Sequence, residues 1–217
     1  MKPDALLKRD VMDALKWEPN INAEAIGVAV KDCIVTLSGY VNSYTEKLAV
    51  ERAVQGVFGV KAIAQEIKVN LPGAGQRSDE DIARAAANTI AWTTSLPHDR
   101  IKVTVQDGWI NLSGEVEWYY QKNAAEDAVC DLLGVKGVSN LIKVKPSLKP
   151  VDIKAKIESA FQRNAVLDAK QISVTYSGDK VILSGMVRSY AEKKEAERVA
   201  CSAPGVCEVQ NNIVVNP

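Results

Sequence analysis

The sequence has very few of the residues from which catalytic and metal sites are usually built. His98 is the only histidine among 217 residues. The four cysteines are Cys33, Cys130, Cys201 and Cys207, and no two of them form a Cys-x-x-Cys pair. A zinc site needs closely spaced thiolates or imidazoles, and acid–base catalysis needs carboxylates that share a pocket. We therefore expect no metal, no cofactor and no enzymatic activity.

A charge excess and a long apolar run are also absent. The chain carries 27 basic and 27 acidic residues, so its formal net charge is zero, whereas free-standing nucleic-acid binders usually carry a basic excess. Charged residues interrupt every apolar run within the first ten positions. This pattern predicts neither a signal peptide nor a transmembrane span. The sequence thus predicts a cytoplasmic protein without a nucleic-acid partner, and a periplasmic one if an export signal has been removed.

What the sequence does contain is one stretch that occurs three times. A β-branched run leads into Leu-Ser-Gly, and a valine follows two residues later, at residues 34–41, 109–116 and 180–187. Such internal repetition indicates a row of similar structural units. We interpret the repeated glycines as structural positions that need positive φ or close approach of the backbone, and they are Gly39, Gly114 and Gly185.

Aligning the copies on this glycine gives the same order of elements in each. Apolar residues four apart predict an amphipathic first helix, and they are Leu7, Val11 and Leu15, Ile82, Ala86 and Ile90, and Ile153, Ile157 and Phe161. Alternating apolar residues then predict two strands joined by a tight turn. A capping box, Ser43 to Glu46 and Ser189 to Glu192, predicts the start of a second helix. A second glycine is predicted to end this helix before a last strand.

Each copy therefore has the predicted order αββαβ. The predicted domains are residues 3–71, 78–146 and 150–216. The segments 72–77 and 146–150 contain the proline and glycine that break helices and strands, so we interpret them as linkers.

This pattern resembles the BON domain, which is named after bacterial osmotically inducible and nodulation proteins. The resemblance is carried by the αββαβ order, the Val-x-Leu-Ser-Gly strand and the Gly-Val pair before the last strand, over nearly all of the chain. It implies an α+β fold in which each domain has a three-stranded mixed sheet with both helices on one face. It also implies a role in osmotic or envelope stress and contact with phospholipid, and for some members ion binding or help in folding exported proteins.

Differences between the copies indicate where the chain binds something. In the second copy Trp118 replaces the capping serine, and Tyr120 follows close behind it. Trp109 lies on the outward phase of the preceding strand. Because Trp and Tyr are enriched at interfaces and membrane surfaces, these three rings predict contact with lipid or a protein partner. Packing between domains and a merely exposed ring are the alternatives.

The first copy differs from the others on the open face of its sheet. Gly27 and Ala29 replace polar residues that the other copies have there, and Ala62 and Ala64 add small residues on the same phase of the last strand. Small apolar residues permit close approach, so they predict that another domain or subunit covers this face. The repeated tyrosines Tyr44, Tyr119 and Tyr190 are interpreted as packing residues whose hydroxyls reach water.

Together these patterns favour a non-catalytic tandem binding module that contacts an envelope component, either phospholipid or a protein. Three weak surfaces on one chain would act by avidity. The alternative is a sensor of a small ligand or a monovalent ion, in which binding changes how the domains pack.

Overall fold

Residues 2–145, 153–164, 166–177 and 180–216 are described by the computed structural model of the chain. Within these ranges the chain forms six α-helices and ten β-strands. The predicted linker 146–150 and the predicted turn at Gly178 and Asp179 lie outside the described residues.

The first domain follows the predicted order of elements. Its elements are α1 (Asp4–Trp17), β1 (Ile26–Lys31), β2 (Ile34–Val41), α2 (Tyr44–Gln55) and β3 (Ala62–Val69). The Ser43 hydroxyl accepts a hydrogen bond from the Glu46 N–H at 3.0 Å, and the Glu46 carboxylate accepts one from the Asn42 N–H at 2.8 Å. These two bonds satisfy free N–H groups at the start of α2.

The second domain departs from the prediction in its last strand. Its elements are α3 (Asp79–Trp92), β4 (Ile101–Gln106), β5 (Trp109–Val116), α4 (Tyr119–Cys130), β6 (Gly137–Asn140) and β7 (Lys143–Val144). One strand over 138–144 was predicted, but the pairing is interrupted between β6 and β7. There the Asn140 side chain accepts from the Ile142 N–H at 3.3 Å, a local bond that competes with the ladder. Asn211 makes the same bond within an unbroken strand of the third domain, so the interruption is a marginal one.

The third domain returns to the regular pattern. Its elements are α5 (Ile153–Arg163), β8 (Ile172–Ser177), β9 (Lys180–Val187), α6 (Tyr190–Cys201) and β10 (Glu208–Val215). Ser189 accepts from the Glu192 N–H at 3.1 Å at the start of α6, as the capping box predicted.

The middle strand of each sheet is the one that carries the repeated Leu-Ser-Gly. β2 pairs antiparallel with β1, with Leu37 opposite Val28, and parallel with β3, with Leu37 opposite Gln65. The same order recurs as β4-β5-β6, with β7 also beside β5, and as β8-β9-β10. The α+β fold with three mixed sheets, which the family resemblance implied, is confirmed.

Each domain has its own hydrophobic core between its helices and one face of its sheet. The predicted first-helix residues are buried in all three copies, from Leu7, Val11 and Leu15 to Ile153, Ile157 and Phe161. The central strands add Val35 and Leu37 and their counterparts. The opposite face of each sheet remains available for other contacts.

The repeated glycine occupies a backbone position that no other residue fits. Gly39 has a φ of 121°, and a Cβ there would lie 2.1 Å from the Ala25 carbonyl oxygen. At Gly114 and Gly185 the φ values are 128° and 132°. A Cβ at these positions would lie 2.0 Å from the carbonyl oxygen of Arg100 or Gln171, the residue just before the neighbouring strand. The strands cross too closely here for a side chain.

The sequence predicts that the second repeated glycine ends the second helix, and this prediction is wrong. α2, α4 and α6 end at Gln55, Cys130 and Cys201, several residues before Gly59, Gly134 and Gly205. These glycines have positive φ values of 103°, 94° and 89°. They allow the turn into the last strand rather than the helix terminus itself.

The first helix and the hairpin turn are joined by an aspartate in two copies. The Asp4 carboxylate accepts from the N–H groups of Asp32 and Cys33 at 2.9 and 3.1 Å. Asp79 does the same for Asp107 and Gly108 at 2.8 Å each. Successive N–H groups in left-handed turn residues form a small anion-binding concavity, so the carboxylate fixes the turn against the helix start.

Candidate functional site

The junction between the first two domains is built around Tyr44. This residue begins α2, and its ring packs against the core of the second domain. Its hydroxyl oxygen accepts a hydrogen bond from the backbone N–H of Val138, on β6. Burial raises the pKa of Tyr44, and the nearby Glu126 carboxylate adds to this effect. The phenol is therefore held neutral within a contact between domains.

The junction between the second and third domains is built around Tyr119, the equivalent residue, although its ring packs against the core of its own domain. Tyr119 begins α4, and its hydroxyl is hydrogen-bonded to the Cys201 thiol at the end of α6. Burial raises the pKa of Tyr119, and Cys201 and Glu197 add to this effect. Burial also raises the pKa of Cys201 to about 11, although the hydrogen bond from Tyr119 opposes the rise.

The two junctions use equivalent positions of the repeat. One domain supplies the tyrosine five residues after the repeated glycine, and the receiving surface of the following domain contains a glutamate and a cysteine, twelve and sixteen residues after its own glycine. These pairs are Glu126 with Cys130, and Glu197 with Cys201. The interpretation that these tyrosine hydroxyls reach water is therefore wrong for Tyr44 and Tyr119, since both contact the next domain.

Trp118 and Tyr120 line a cleft at the second junction. Trp118 immediately precedes α4 and is 42% exposed, and Tyr120 is 55% exposed. The opposite wall of the cleft is formed by the third domain, including Ala203 and Val206. The missing serine cap at Trp118 is partly replaced by Gln121, whose side-chain oxygen accepts from the N–H groups of Glu117 and Trp118 at 3.1 Å each.

Trp109 lies apart from these two rings, at the opposite end of β5. Its ring covers Gly137, where a Cβ would come within 2.5 Å of the indole. The indole N–H donates to the Ser139 hydroxyl at 2.8 Å. The half-exposed ring also borders a cleft that Lys68 of the first domain lines. The three aromatic residues singled out by the sequence therefore belong to two different surfaces.

The small residues of the first sheet lie on its open face. Gly27, Ala29 and Ala64 are exposed, and Ala62 is half-buried. Ile34, which occupies the position of Trp109 in the second domain, adds an exposed apolar side chain between them. Cover of this face by another domain or another subunit remains a prediction.

Sequence reasoning missed the two most exposed aromatic residues of the described chain. Trp17 and Trp92 are the last residues of α1 and α3, and they are 87% and 89% exposed. They occupy the same repeat position, where the third domain has Arg163. The signal in the sequence was a tryptophan outside the predicted buried stripe of the first helix, in two copies at once.

The other chemistry of the described ranges is sparse. They contain no cluster of three or more histidine, cysteine or acidic side chains that could hold a metal ion. Over the same part of the chain, no helix combines the length and the apolar character needed to cross a membrane. Burial raises the pKa of Cys130 to about 11, with Asp131 as the next contribution, so this thiol is also neutral near pH 7.

The fold and its junctions define a class of protein: a tandem array of small αββαβ domains connected end to end. The BON domain profile matches residues 3–70, 78–146 and 151–217, which is nearly the whole chain. The chain belongs to the BON domain family.

A named relative extends this result. The chain is 30% identical over 148 residues to osmotically-inducible protein Y of Escherichia coli (strain K12). The alignment covers 65% of this chain and 73% of that protein.

Two solved structures of CdsD, a structural protein of the type III secretion system of Chlamydia trachomatis, also align with the chain. Both are 13% identical to it, and the alignments cover 96% and 100% of this chain and 91% and 100% of the CdsD chains. Their TM-scores are only 0.27 and 0.25, so they carry no argument about this protein.

Proposed function

We propose that the chain is a non-catalytic, stress-related binding module that contacts phospholipid in the cell envelope. The osmotically inducible relative supports the stress role. Membership of the BON family supports a domain that binds rather than one that catalyses a reaction.

The observation that carries the lipid contact is the exposure of Trp17 and Trp92. An indole ring that is almost fully exposed to water suggests that the ring enters a second environment when the protein binds. The membrane–water interface suits this role because tryptophan is enriched there. Both rings end equivalent helices of neighbouring domains, so two of them can engage one surface with the benefit of avidity.

Charge supplies a second, smaller contribution in the first domain. Lys16 is exposed next to Trp17 on α1, although the exposed Asp13 lies one turn before that ring. In the second domain Arg84 is instead paired with Glu80 at 2.6 Å. The proposed contact therefore depends on ring insertion and only weakly on anionic headgroups, because attraction to lipid needs uncompensated basic residues.

The test uses the four tryptophans as separate reporters. Four variants each keep one tryptophan, Trp17, Trp92, Trp109 or Trp118, and carry phenylalanine at the other three positions. Each is mixed with phosphatidylcholine vesicles and with vesicles that contain phosphatidylglycerol, and the emission wavelength and flotation are recorded. We expect a blue shift for the Trp17 and Trp92 reporters and little change for Trp109.

A shift confined to the Trp118 reporter would instead support the surface that the sequence singled out, together with Tyr120. Flotation that survives in a Trp17→Ala, Trp92→Ala double variant would refute the role of these two rings. If no reporter responds and no variant floats with either vesicle, the lipid contact is wrong and a protein partner becomes the better proposal.

A further inference from the structure

The contact between neighbouring domains is directional. In both junctions one domain supplies the tyrosine ring at the start of its second helix, and the next domain supplies the surface that receives this ring, formed by its second helix and, in the first junction, its last strand. We call these two surfaces the donor end and the acceptor face. Because they are different surfaces of one unit, the interface is heterologous, and a heterologous interface can be extended indefinitely unless an end is blocked.

The third domain has a donor end that the described chain does not use. Tyr190 begins α6 at the same repeat position as Tyr44 and Tyr119. Its ring is partly buried against the core of its own domain, as is the ring of Tyr119. Among the described residues, no further domain lies beyond it to accept its hydroxyl.

The first domain has an acceptor face that is likewise unused within the described chain. Glu51 occupies the position of Glu126 and Glu197, and Ile63 on β3 occupies that of Val138. The one change is Gln55, which stands where Cys130 and Cys201 stand in the occupied acceptors. The Gln55 amide donates to Glu51 at 2.7 Å.

A second difference marks the same face. In the occupied acceptors the side-chain amides of Asn140 and Asn211 donate to Glu126 and Glu197, each at 3.2 Å. The equivalent residue of the first domain is Gln65. Its amide nitrogen is buried and has no hydrogen-bond partner, and the nearby Glu51 accepts from Gln55 instead. An unpartnered buried amide is costly.

We propose that Tyr190 of one copy docks on the acceptor face of the first domain of a second copy, so that chains associate head to tail. Docking displaces the Gln55 side chain from Glu51. Glu51 can then accept from Gln65, which reproduces the pairing found in both occupied acceptors.

The association is weak unless the protein is concentrated. Inside the chain, a short linker holds donor and acceptor together at an effective concentration in the millimolar range. Between chains this tether is missing, so the same contact reaches the occupancy that it has within the chain only when the protein concentration approaches that range. The expected product is a series of lengthening chains rather than a closed dimer. This inference does not depend on the proposed lipid contact.

The test is sedimentation equilibrium of the 217-residue chain over a concentration series that reaches roughly the millimolar range. We expect the mass of the wild-type chain to rise from the monomer value of 23.5 kDa as concentration increases. Tyr190→Ala removes the donor, and Gln55→Arg fills the acceptor face, so each variant should remain a monomer. Tyr190→Phe, which keeps the packing within the third domain, should weaken the association and controls for misfolding.

An equimolar mixture of Tyr190→Ala and Gln55→Arg gives the sharpest result. Each variant retains one working surface, so the mixture should form dimers and nothing larger. Ala29→Lys, on the open sheet face of the first domain, is the matched control and should associate like the wild type.

Three results would overturn the proposal. The first is a wild-type mass that stays at the monomer value throughout the series. The second is association that persists unchanged in Tyr190→Ala. The third is loss of association in Ala29→Lys alone, which would assign self-contact to the open sheet face.

Discussion

The two domain junctions have the same components but connect them differently. At the first junction the Tyr44 hydroxyl accepts from the Val138 backbone N–H, while the half-buried Cys130 directs its thiol to the Asp127 carbonyl at 3.2 Å and to the Asp131 carboxylate at 3.6 Å. At the second junction Tyr119 is bonded to the thiol of Cys201, which is only 3% exposed. The cysteine is therefore more deeply buried at the second junction than at the first.

This difference shows that the repeat fixes which surfaces meet but not which atoms pair. A tyrosine hydroxyl can be satisfied by a backbone group or by a thiol, and the choice depends on local orientation. Each junction relies on one ring, so a single substitution should affect one junction and leave the other intact. The following predictions test that independence, beginning with the largest expected effect.

Removing the ring should loosen one junction at a time, and the second should lose more. Truncating a buried aromatic residue costs about 3–5 kcal/mol. For the partly buried Tyr119 we expect a loss of about 2 kcal/mol in the free energy of unfolding, and less for Tyr44. Tyr119 has the larger effect because it contacts both its own core and the buried Cys201. Urea unfolding measures the cost, and small-angle scattering should show a longer, more variable molecule for both Tyr→Ala variants.

The control is Tyr40→Ala, since Tyr40 is exposed at the end of β2 and belongs to neither junction. It should change neither stability nor scattering. A larger loss from Tyr44→Ala than from Tyr119→Ala would contradict the ranking of the junctions.

Alkaline pH should weaken the second junction more than the first. The folded state holds the Cys201 pKa near 11, above its ordinary value of 9.0. Its contribution to stability is therefore complete below about pH 9 and is lost as the pH rises towards 11. Because one pKa unit corresponds to about 1.4 kcal/mol, we expect a loss of roughly 2 kcal/mol. Unfolding curves between pH 8 and pH 11 should show it, and Cys201→Ala should lack most of it.

Cys130→Ala provides the comparison within the same experiment. The pKa of the Cys130 thiol is also raised to about 11. Cys130 is more exposed than Cys201, so solvent should reduce its contribution to the pH-dependent loss of stability. If Cys130→Ala and Cys201→Ala changed the pH dependence of the unfolding free energy equally, the deeper burial of Cys201 would have no energetic consequence.

Removing only the hydroxyl should give the smallest effect and the most specific one. The Tyr119 hydrogen bond lowers the pKa of Cys201, so Tyr119→Phe should move the alkylation profile of that thiol to higher pH. Tyr44→Phe should leave the Cys130 profile unchanged, because that thiol is influenced by Asp131 and Asp127 instead. Peptide mass spectrometry after timed alkylation separates the two. A shift at Cys130 in Tyr44→Phe would show that the junctions are chemically alike.

The fold was largely predictable because each unit obeys its own periodicity. The stripe of Leu7, Val11 and Leu15 and its counterparts is buried, as the four-residue spacing required. The alternation around Leu37 fixed which strand face points inward. Repetition made these predictions stronger than those from one copy, because three independent segments had to agree.

The functional surfaces were harder to predict because the repeat conceals them. Tyr44 and Tyr119 occur in every copy, so they were interpreted as packing within a domain, although they bind the next one. The only sequence signal was the position that faces the tyrosine. It is a cysteine in the two domains that receive a tyrosine, Cys130 and Cys201, and a glutamine, Gln55, in the first domain. Trp17 and Trp92 were missed because only the buried residues of the first helix were compared between the copies, and its exposed residues were not.

The directional junction has a consequence for the history of the gene. Every αββαβ unit has the tyrosine at the start of its second helix, and the two units that receive a tyrosine do so towards the end of that same helix. A duplication of one whole unit therefore adds a domain with both contacts already complementary to its neighbours. Lengthening such an array requires no new recognition surface to evolve, whereas a symmetric contact would have been satisfied after two units and would have stopped growth there.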